Sequence, residues 1–169
     1  MSLRFIIGLG NADPRYQNTY HNVGSFAIDW LKQRQTTDHL LPHVTLLATS
    51  GFMNESGKSV RELLMAHHAT PRETMIIHDD SDIALGMYKL SFGRGAAGHK
   101  GIEDIINELR TNAFWRLRIG IRNQKRREDV PRPKAGEFVL KKMSSGEEKK
   151  IISVIQESLP AIQAMQDQM

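Results

Sequence analysis

The chain has 169 residues, 40% of them hydrophobic and 25% charged, with six prolines and no cysteine. That length buries a core without covalent staples, and the missing thiols exclude disulfides and thiolate metal sites while leaving the redox compartment unread. The formal net charge of +4 is modest, so any polyanion partner has to be sought in a local cluster of cations rather than in the total.

Taken in order, the amino terminus enters an apolar run almost at once, with Arg4 as its only early charge. The run Phe5-Ile6-Ile7 is too short for a signal peptide or a membrane span, so a cytoplasmic protein without membrane association is expected. Its β-branched residues and the glycines that follow read as a buried strand. Phe26, Ala27, Trp30 and Leu31 then recur at helical spacing between Gly24 and Arg34, and the polar segment Gln35 to His39 is expected to end that helix. Val44 to Ala48 is a second strand candidate, Gly51 to Gly57 a turn, and Val60, Leu63 and Leu64 mark a helix to about His67.

Thr74 to Ile77 is a strand running into His78-Asp79-Asp80-Ser81-Asp82, and Met87 to Phe92 alternates like a half-buried strand. The glycine-rich turn Gly93 to Gly101 opens a helix carrying Ile102, Ile105, Ile106 and Leu109. Phe114 to Ile121 is a further strand, with Arg116 and Arg118 on one face and Leu117 and Ile119 on the other. Ten basic residues fall between Arg116 and Lys142 against three acidic ones, while the remainder carries thirteen basic and sixteen acidic. Such a cluster is an electrostatic footprint for nucleic acid; a solvated loop between strands is the alternative. Glu137 to Leu140 reads as a short strand or extended edge. Glu147 to Gln168 reads as a last helix that Pro160 kinks or shortens by a final turn. The alternation argues for βαβ units and a largely parallel sheet, in a single α/β domain over residues 1–169.

Several candidate sites compete. Gly8-Leu9-Gly10 lacks the third glycine and the helix start of a dinucleotide fingerprint, and the turn at Gly98 lacks a P-loop's Lys-Ser/Thr ending. His78, Asp79, Asp80 and Asp82, with His21 and His99, are residue types that hold zinc or manganese, but adjacent aspartates at a strand end point to opposite sides. One of those aspartates could instead orient a catalytic histidine. His21, past the end of the first strand, is either a hydrogen-bonded loop residue or a general base near neutral pH. Asn11, Asn22 and Asn54 stand beside such ends, where a carboxamide caps a turn or donates to a developing oxyanion. With no Gly-x-Ser-x-Gly elbow and no cysteine, a hydrolase built here would use an activated water.

Five motifs in one order carry a resemblance. Gly8-Leu9-Gly10-Asn11, followed by Tyr16, Thr19, His21, Asn22 and Gly24, resembles the amino-terminal motif of the bacterial-type peptidyl-tRNA hydrolases. Phe52 to Gly57, His78 to Gly86, Gly98-His99 with Gly101, and Phe114 to Ile121 resemble that family's remaining motifs. The resemblance implies a monomeric α/β domain with a mixed, mostly parallel twisted sheet flanked by helices. It implies cleavage of the ester joining a peptide to the terminal ribose of tRNA, with tRNA as partner and with no metal or other cofactor. Carried over by position, His21 is the base that deprotonates water, Asp79 orients it, and Asn11 and Asn54 hold the peptide backbone, carbonyl or water. Tyr16 lines the peptide groove, and Arg118 contacts tRNA phosphate.

This chain departs from the pattern in places. Lys100 stands where the family has an asparagine, bringing a cation toward His21 that either weakens the base or steadies an oxyanion. Ala12-Asp13 replaces Pro-Gly, Tyr20 an arginine, Ser91 a lysine, and Arg122 follows Ile121 where the family has Gly-Arg-Pro. The stretch from Leu31 to Phe52 is shorter than usual. A fold-preserving RNA-binding module with little or no hydrolysis is therefore the alternative to an active enzyme.

Overall fold

The computed structural model describes residues 2–123 and 135–166, and its strands form one sheet. The strands β1 (Phe5–Gly8), β2 (Thr45–Ala48), β3 (Thr74–Ala84), β4 (Tyr88–Phe92) and β5 (Trp115–Arg122) lie in the order β2-β1-β3-β5-β4. β1 runs parallel to β2 and β3, β3 runs parallel to β5, and β4 closes the edge antiparallel to β5. This is the mixed, mostly parallel sheet expected from the sequence. The chain leaves β1 for β2 on one side and returns through a helix to β3 on the other. The direction of crossing reverses between β1 and β3, the switch point beside which open α/β sheets take their ligands.

Strand alternation distributes the core between two helical layers. Ile6, Met75, Ile77, Leu117, Ile119 and Ile121 pack with Val23, Ala27 and Leu31 of α1 (Val23–Asp38) and Ile151 and Ile155 of α5 (Ser145–Gln166). Ile7 and Ile76 face the other way, onto Val60 and Leu64 of α2 (Ser56–Ala66) and Ile102 and Ile105 of α3 (Lys100–Leu109). Covering both faces is what makes β1 read as an unbroken apolar run.

Four elements differ from their sequence reading. α1 does not end at Gln35: it continues to Asp38, where Arg34 and Asp38 pair across one turn at 3.0 Å and Gln35 reaches the carbonyls of Leu41 and Val44. β3 continues through the polar His78–Asp82 stretch to Ala84, with a register irregularity after Asp80. Glu137 to Leu140 is no strand; Ala135–Phe138 is a short helix, α4, and extended pairing survives only as one antiparallel bridge between Thr19 and Lys142. α5 starts at Ser145 rather than Glu147 and runs unbroken through Pro160 to Gln166, with Gln168 outside the described residues.

The first turn of α1 lies directly on the ends of β1 and β3. Ser25 N–H donates to the Leu9 carbonyl at 2.9 Å, and Leu9 N–H donates to the Ile77 carbonyl at 3.0 Å. A methyl group on Gly24 would fall on Ile77 O and on Leu9 N and O, and one on Gly8 would fall on Gly24 O. All of those atoms are backbone, so none can swing aside. Gly24→Ala should therefore lose about 1–3 kcal/mol of stability through overpacking, read as a drop in thermal midpoint. Gly146→Ala, in an exposed first turn with nothing near the added methyl, should be neutral or gain roughly 0.4–1 kcal/mol. Equal effects at the two sites would contradict the close approach.

Candidate active site

The chain from Asn11 to Asn22 is short and polar, and it is held by its own turns. Asp13 caps the single turn Pro14–Tyr16 by accepting from Arg15 N–H at 2.9 Å, and the Thr19 hydroxyl donates to the Tyr16 carbonyl at 2.8 Å. Tyr20 N–H and His21 N–H then donate to the carbonyls of Lys141 and Val139, at 3.1 and 2.8 Å. Tyr20 stacks on Phe138 at 4.7 Å between ring centroids and donates its hydroxyl to Glu147 at 2.6 Å. The replacement of an arginine by Tyr20 thus ties this loop to the start of α5.

His21, just before α1, points its ring at Asp79 in the middle of β3. Its Nδ1 lies 2.9 and 3.0 Å from the two oxygens of Asp79. A second imidazole meets the same group: His99 Nε2 lies 3.0 Å from Asp79 Oδ1. Asp79 is 2% exposed. Burial alone would raise its pKa, but the field of His99 and hydrogen bonds from His21 and His99 outweigh burial and hold the carboxyl well below the usual range. An ionised carboxylate only accepts, so both facing ring nitrogens carry their protons. His21 Nε2 is then the unprotonated, proton-accepting nitrogen of the neutral ring, and it has no hydrogen-bond partner among the described residues.

The carboxamides divide their work. Asn22 braces the Asn11 backbone, accepting from its N–H at 2.8 Å and donating to its carbonyl at 2.9 Å. Asn11 Oδ1 accepts from Met53 N–H at 2.8 Å, and its own Nδ2 has no partner among the described residues. Asn54 follows in the single turn Met53–Glu55, exposed and with its amide likewise unbonded among those residues. Tyr16 is half-buried, with the Arg15 guanidinium 5.9 Å from its ring centroid.

Arg118 is half-buried and pairs with Asp80, with Nε and Nη2 both 2.7 Å from Oδ2. Lys100 opens α3 with its side chain 79% exposed and its ammonium 3.8 Å from Glu103. Of the cations clustered in the sequence, Arg116 is buried and donates to the Gly95 carbonyl at 2.9 Å, so it contributes nothing to a contact surface. Lys125, Arg126, Arg127, Arg132 and Lys134 lie outside the described residues.

Among the described residues, one trio could hold a metal by distance: the ligand atoms of His21, Asp79 and His99 lie within 4.8 Å of one another. Asp80 is turned to Arg118, and His78 Nδ1 donates to the Asp79 carbonyl at 2.7 Å, so neither joins it. The donor set fits a metal poorly. His99 Nδ1 accepts from Ile102 N–H at 3.3 Å, whereas a metal on Nε2 would place the ring proton on Nδ1, against that N–H. His99 as a second donor to Asp79 and Asn22 as a brace on the Asn11 backbone are the two contacts that sequence reasoning does not give, since it offers His99 only as a metal ligand and Asn22 only as a cap or oxyanion donor. Their signal was only their place beside the other motifs, Gly98-His99 before α3 and Asn22 after His21.

Comparison with known proteins gives a consistent result. The family model described as peptidyl-tRNA hydrolase matches residues 5–169. A peptidyl-tRNA hydrolase of Aquifex aeolicus is 34% identical over 94% of this chain and 88% of its own. One from Leptothrix cholodnii is 35% identical over 96% and 81%. The crystal structure of peptidyl-tRNA hydrolase from Acinetobacter baumannii superposes with a TM-score of 0.79 at 28% identity, over 97% of this chain and 88% of that one.

His78 makes the site's stability sensitive to acid. Burial, then the field of His99, pushes its pKa well below the ordinary 6.5. A base with a depressed folded pKa is stabilising while neutral, and that contribution is lost as pH falls below the unfolded value. Stability should therefore decline below about pH 6.5 by up to roughly 1.4 kcal/mol per pH unit from this ring alone. His78→Asn, which keeps a donor toward the Asp79 carbonyl, should flatten the dependence in urea melts between pH 7 and 5; an unchanged slope would contradict it.

Proposed function

The chain belongs to the peptidyl-tRNA hydrolase family, and on that premise we propose how its residues hydrolyse the ester between peptide and tRNA. His21 Nε2 takes a proton from a water as that water attacks the ester carbonyl. The tetrahedral oxyanion collapses, the bond to the ribose oxygen breaks, and the imidazolium returns its proton to the leaving oxygen. Asp79 holds the tautomer that leaves Nε2 free and steadies the imidazolium between the two steps. The single observation that carries this reading is the 2.9 Å contact of His21 Nδ1 with an ionised, buried carboxylate.

Asn11, braced by Asn22 and Met53, offers its unbonded Nδ2 to the peptide backbone or the oxyanion, and Asn54 offers its amide to the carbonyl or the water. Tyr16 lines the peptide path. Arg118, fixed on one edge by Asp80, presents the rest of its guanidinium to tRNA phosphate. Lys100 acts as an outer cation toward the polyanionic substrate, because its ammonium is turned to Glu103 and solvent. A binding module without hydrolysis is not favoured, given relatives named as hydrolases across nearly the whole chain. No helix among the described residues is long and apolar enough to cross a membrane, and a monomer working in the cytoplasm is the proposed setting.

Turnover of peptidyl-tRNA in the presence of a chelator tests the reading. The wild type should be unaffected by the chelator, and His21→Ala should lose roughly 100- to 10,000-fold in kcat. Undiminished turnover by His21→Ala would overturn it. Arg118→Ala should raise KM and lower the salt slope by about one phosphate contact, with kcat less affected.

A further inference from the structure

Asp79 serves two imidazoles, and the reaction described above uses one. Oδ1 receives both His21 Nδ1–H and His99 Nε2–H, at 2.9 and 3.0 Å, while Oδ2 receives His21 alone at 3.0 Å. We infer that His99 is a positioning residue that shares the Asp79 carboxylate with His21 and so limits how tightly His21 holds its proton. The inference rests on His21 being the base and concerns what tunes it.

A buried carboxylate acts on a facing imidazole through low-dielectric surroundings, so the number of N–H groups dividing its charge matters. A second donor draws charge toward itself and weakens the pull on the His21 imidazolium. The base has to surrender its proton to the ribose oxygen, and an imidazolium held too firmly would slow that return and leave less free base near neutral pH.

His99 is itself fixed for this task. Its Nδ1 caps α3 by accepting from Ile102 N–H at 3.3 Å, which keeps the ring proton on Nε2, facing Asp79. The helix it caps is anchored by Ile102 and Ile105, both fully buried, and by Gly101 against Met53.

The charged groups on the neighbouring elements have other engagements. On β3 and β5, Asp80 pairs with Arg118, Arg116 donates to Gly95, and His78 sits edge-on to His99 at 4.6 Å with its Nδ1 on a carbonyl. On α3, Lys100 pairs with Glu103, and Asp104 accepts from Gly57 N–H at 2.6 Å. In the loop before His21, Asp13 pairs with Arg15; Tyr20 is bonded to Glu147, and Lys141 and Lys142 on the facing segment are exposed. His99 is the one other side chain hydrogen-bonded to Asp79 among the described residues.

The two ring nitrogens can be separated by substitution. His99→Asn places an amide oxygen near Nδ1, keeping the helix cap and losing the donor to Asp79; His99→Gln places an amide nitrogen near Nε2 and restores the donor. In His99→Asn the acid limb of the kcat/KM profile for peptidyl-tRNA should move up by about half to one pH unit. The His99→Gln limb should return toward the wild type. A folded His99→Asn whose limb stays in place would overturn the inference, as would equal displacement in both variants. Nitrogen-15 shifts of the wild-type imidazoles need no variant to fold: a proton found on His99 Nδ1 instead of Nε2 would also overturn it. Full activity in His21→Ala would instead remove the base on which the inference rests, leaving the His99 tautomer as it is.

Discussion

Keeping Asp79 ionised at 2% exposure is the constraint to which the upper end of the sheet answers. A carboxylate with so little water needs donors delivered from elsewhere, and the donors come from two loops far apart in the chain. One precedes α1 and carries His21; the other precedes α3 and carries His99. Both helix starts must therefore converge on Asp79 in the middle of β3. Gly24 lets the first turn of α1 settle onto Leu9 and Ile77, and Gly101 lets α3 begin against Met53. The contacts to Asp79 and the backbone packing are in this sense one arrangement, because a helix displaced from the sheet would carry its histidine off the carboxylate.

Much of this was legible in the sequence, for reasons that differ by element. β1, β3 and β5 announced themselves because strands buried on both faces concentrate Ile, Leu and Met, and the two cations on β5 fell on the face opposite Leu117 and Ile119 as their spacing required. His21 and Asp79 were readable as a pair only through the motif resemblance; nothing in local spacing joins residues 58 positions apart. The extension of α1 to Asp38 is not legible from polarity, which reads as a stop at Gln35, although Arg34 and Asp38 support a helix as an ion pair one turn apart. The helical turn at Ala135–Phe138 escaped because four residues of mixed character hold too little periodicity to tell a strand from a turn. Arg116 was counted as a surface cation because composition carries no depth. Its guanidinium is buried, donating to the carbonyl of Gly95, a contact visible only in three dimensions.

The departures from the family pattern sort by depth in the same way. Tyr20 is buried, and its change from arginine is answered by Phe138 and Glu147, so the loop that presents His21 keeps a firm attachment by other means. Ala12-Asp13 is exposed or half-buried, and Asp13 still closes a turn by capping Arg15. Lys100 is exposed, and its ammonium turns outward to Glu103. The electrostatic conflict expected of a cation beside the base depends on the ammonium being held there. A long, flexible stem at a helix start lets it turn to solvent and to the carboxylate one turn on.

What the fold fixes most firmly is therefore the hydrogen-bonded cluster around Asp79 and Asn11, and what it leaves adjustable is the set of exposed side chains around it. His21, Asp79, His99, Asn11 and Asn22 are joined to one another or to the backbone by hydrogen bonds of 2.8–3.0 Å, all of them buried or largely so. Asn54, Tyr16 and Lys100 stand on exposed or half-buried turns and helix starts, where side chains can change with little effect on packing. That division would suit the reaction proposed above. A proton moves only over a hydrogen-bond length, so its donors and acceptors must be fixed to within a fraction of an ångström. A polyanionic substrate is drawn by charges acting over several ångströms, which a flexible lysine or arginine supplies from many positions. Substitution of the exposed Lys100 should therefore disturb the contacts at Asp79 far less than substitution of either imidazole bonded to it.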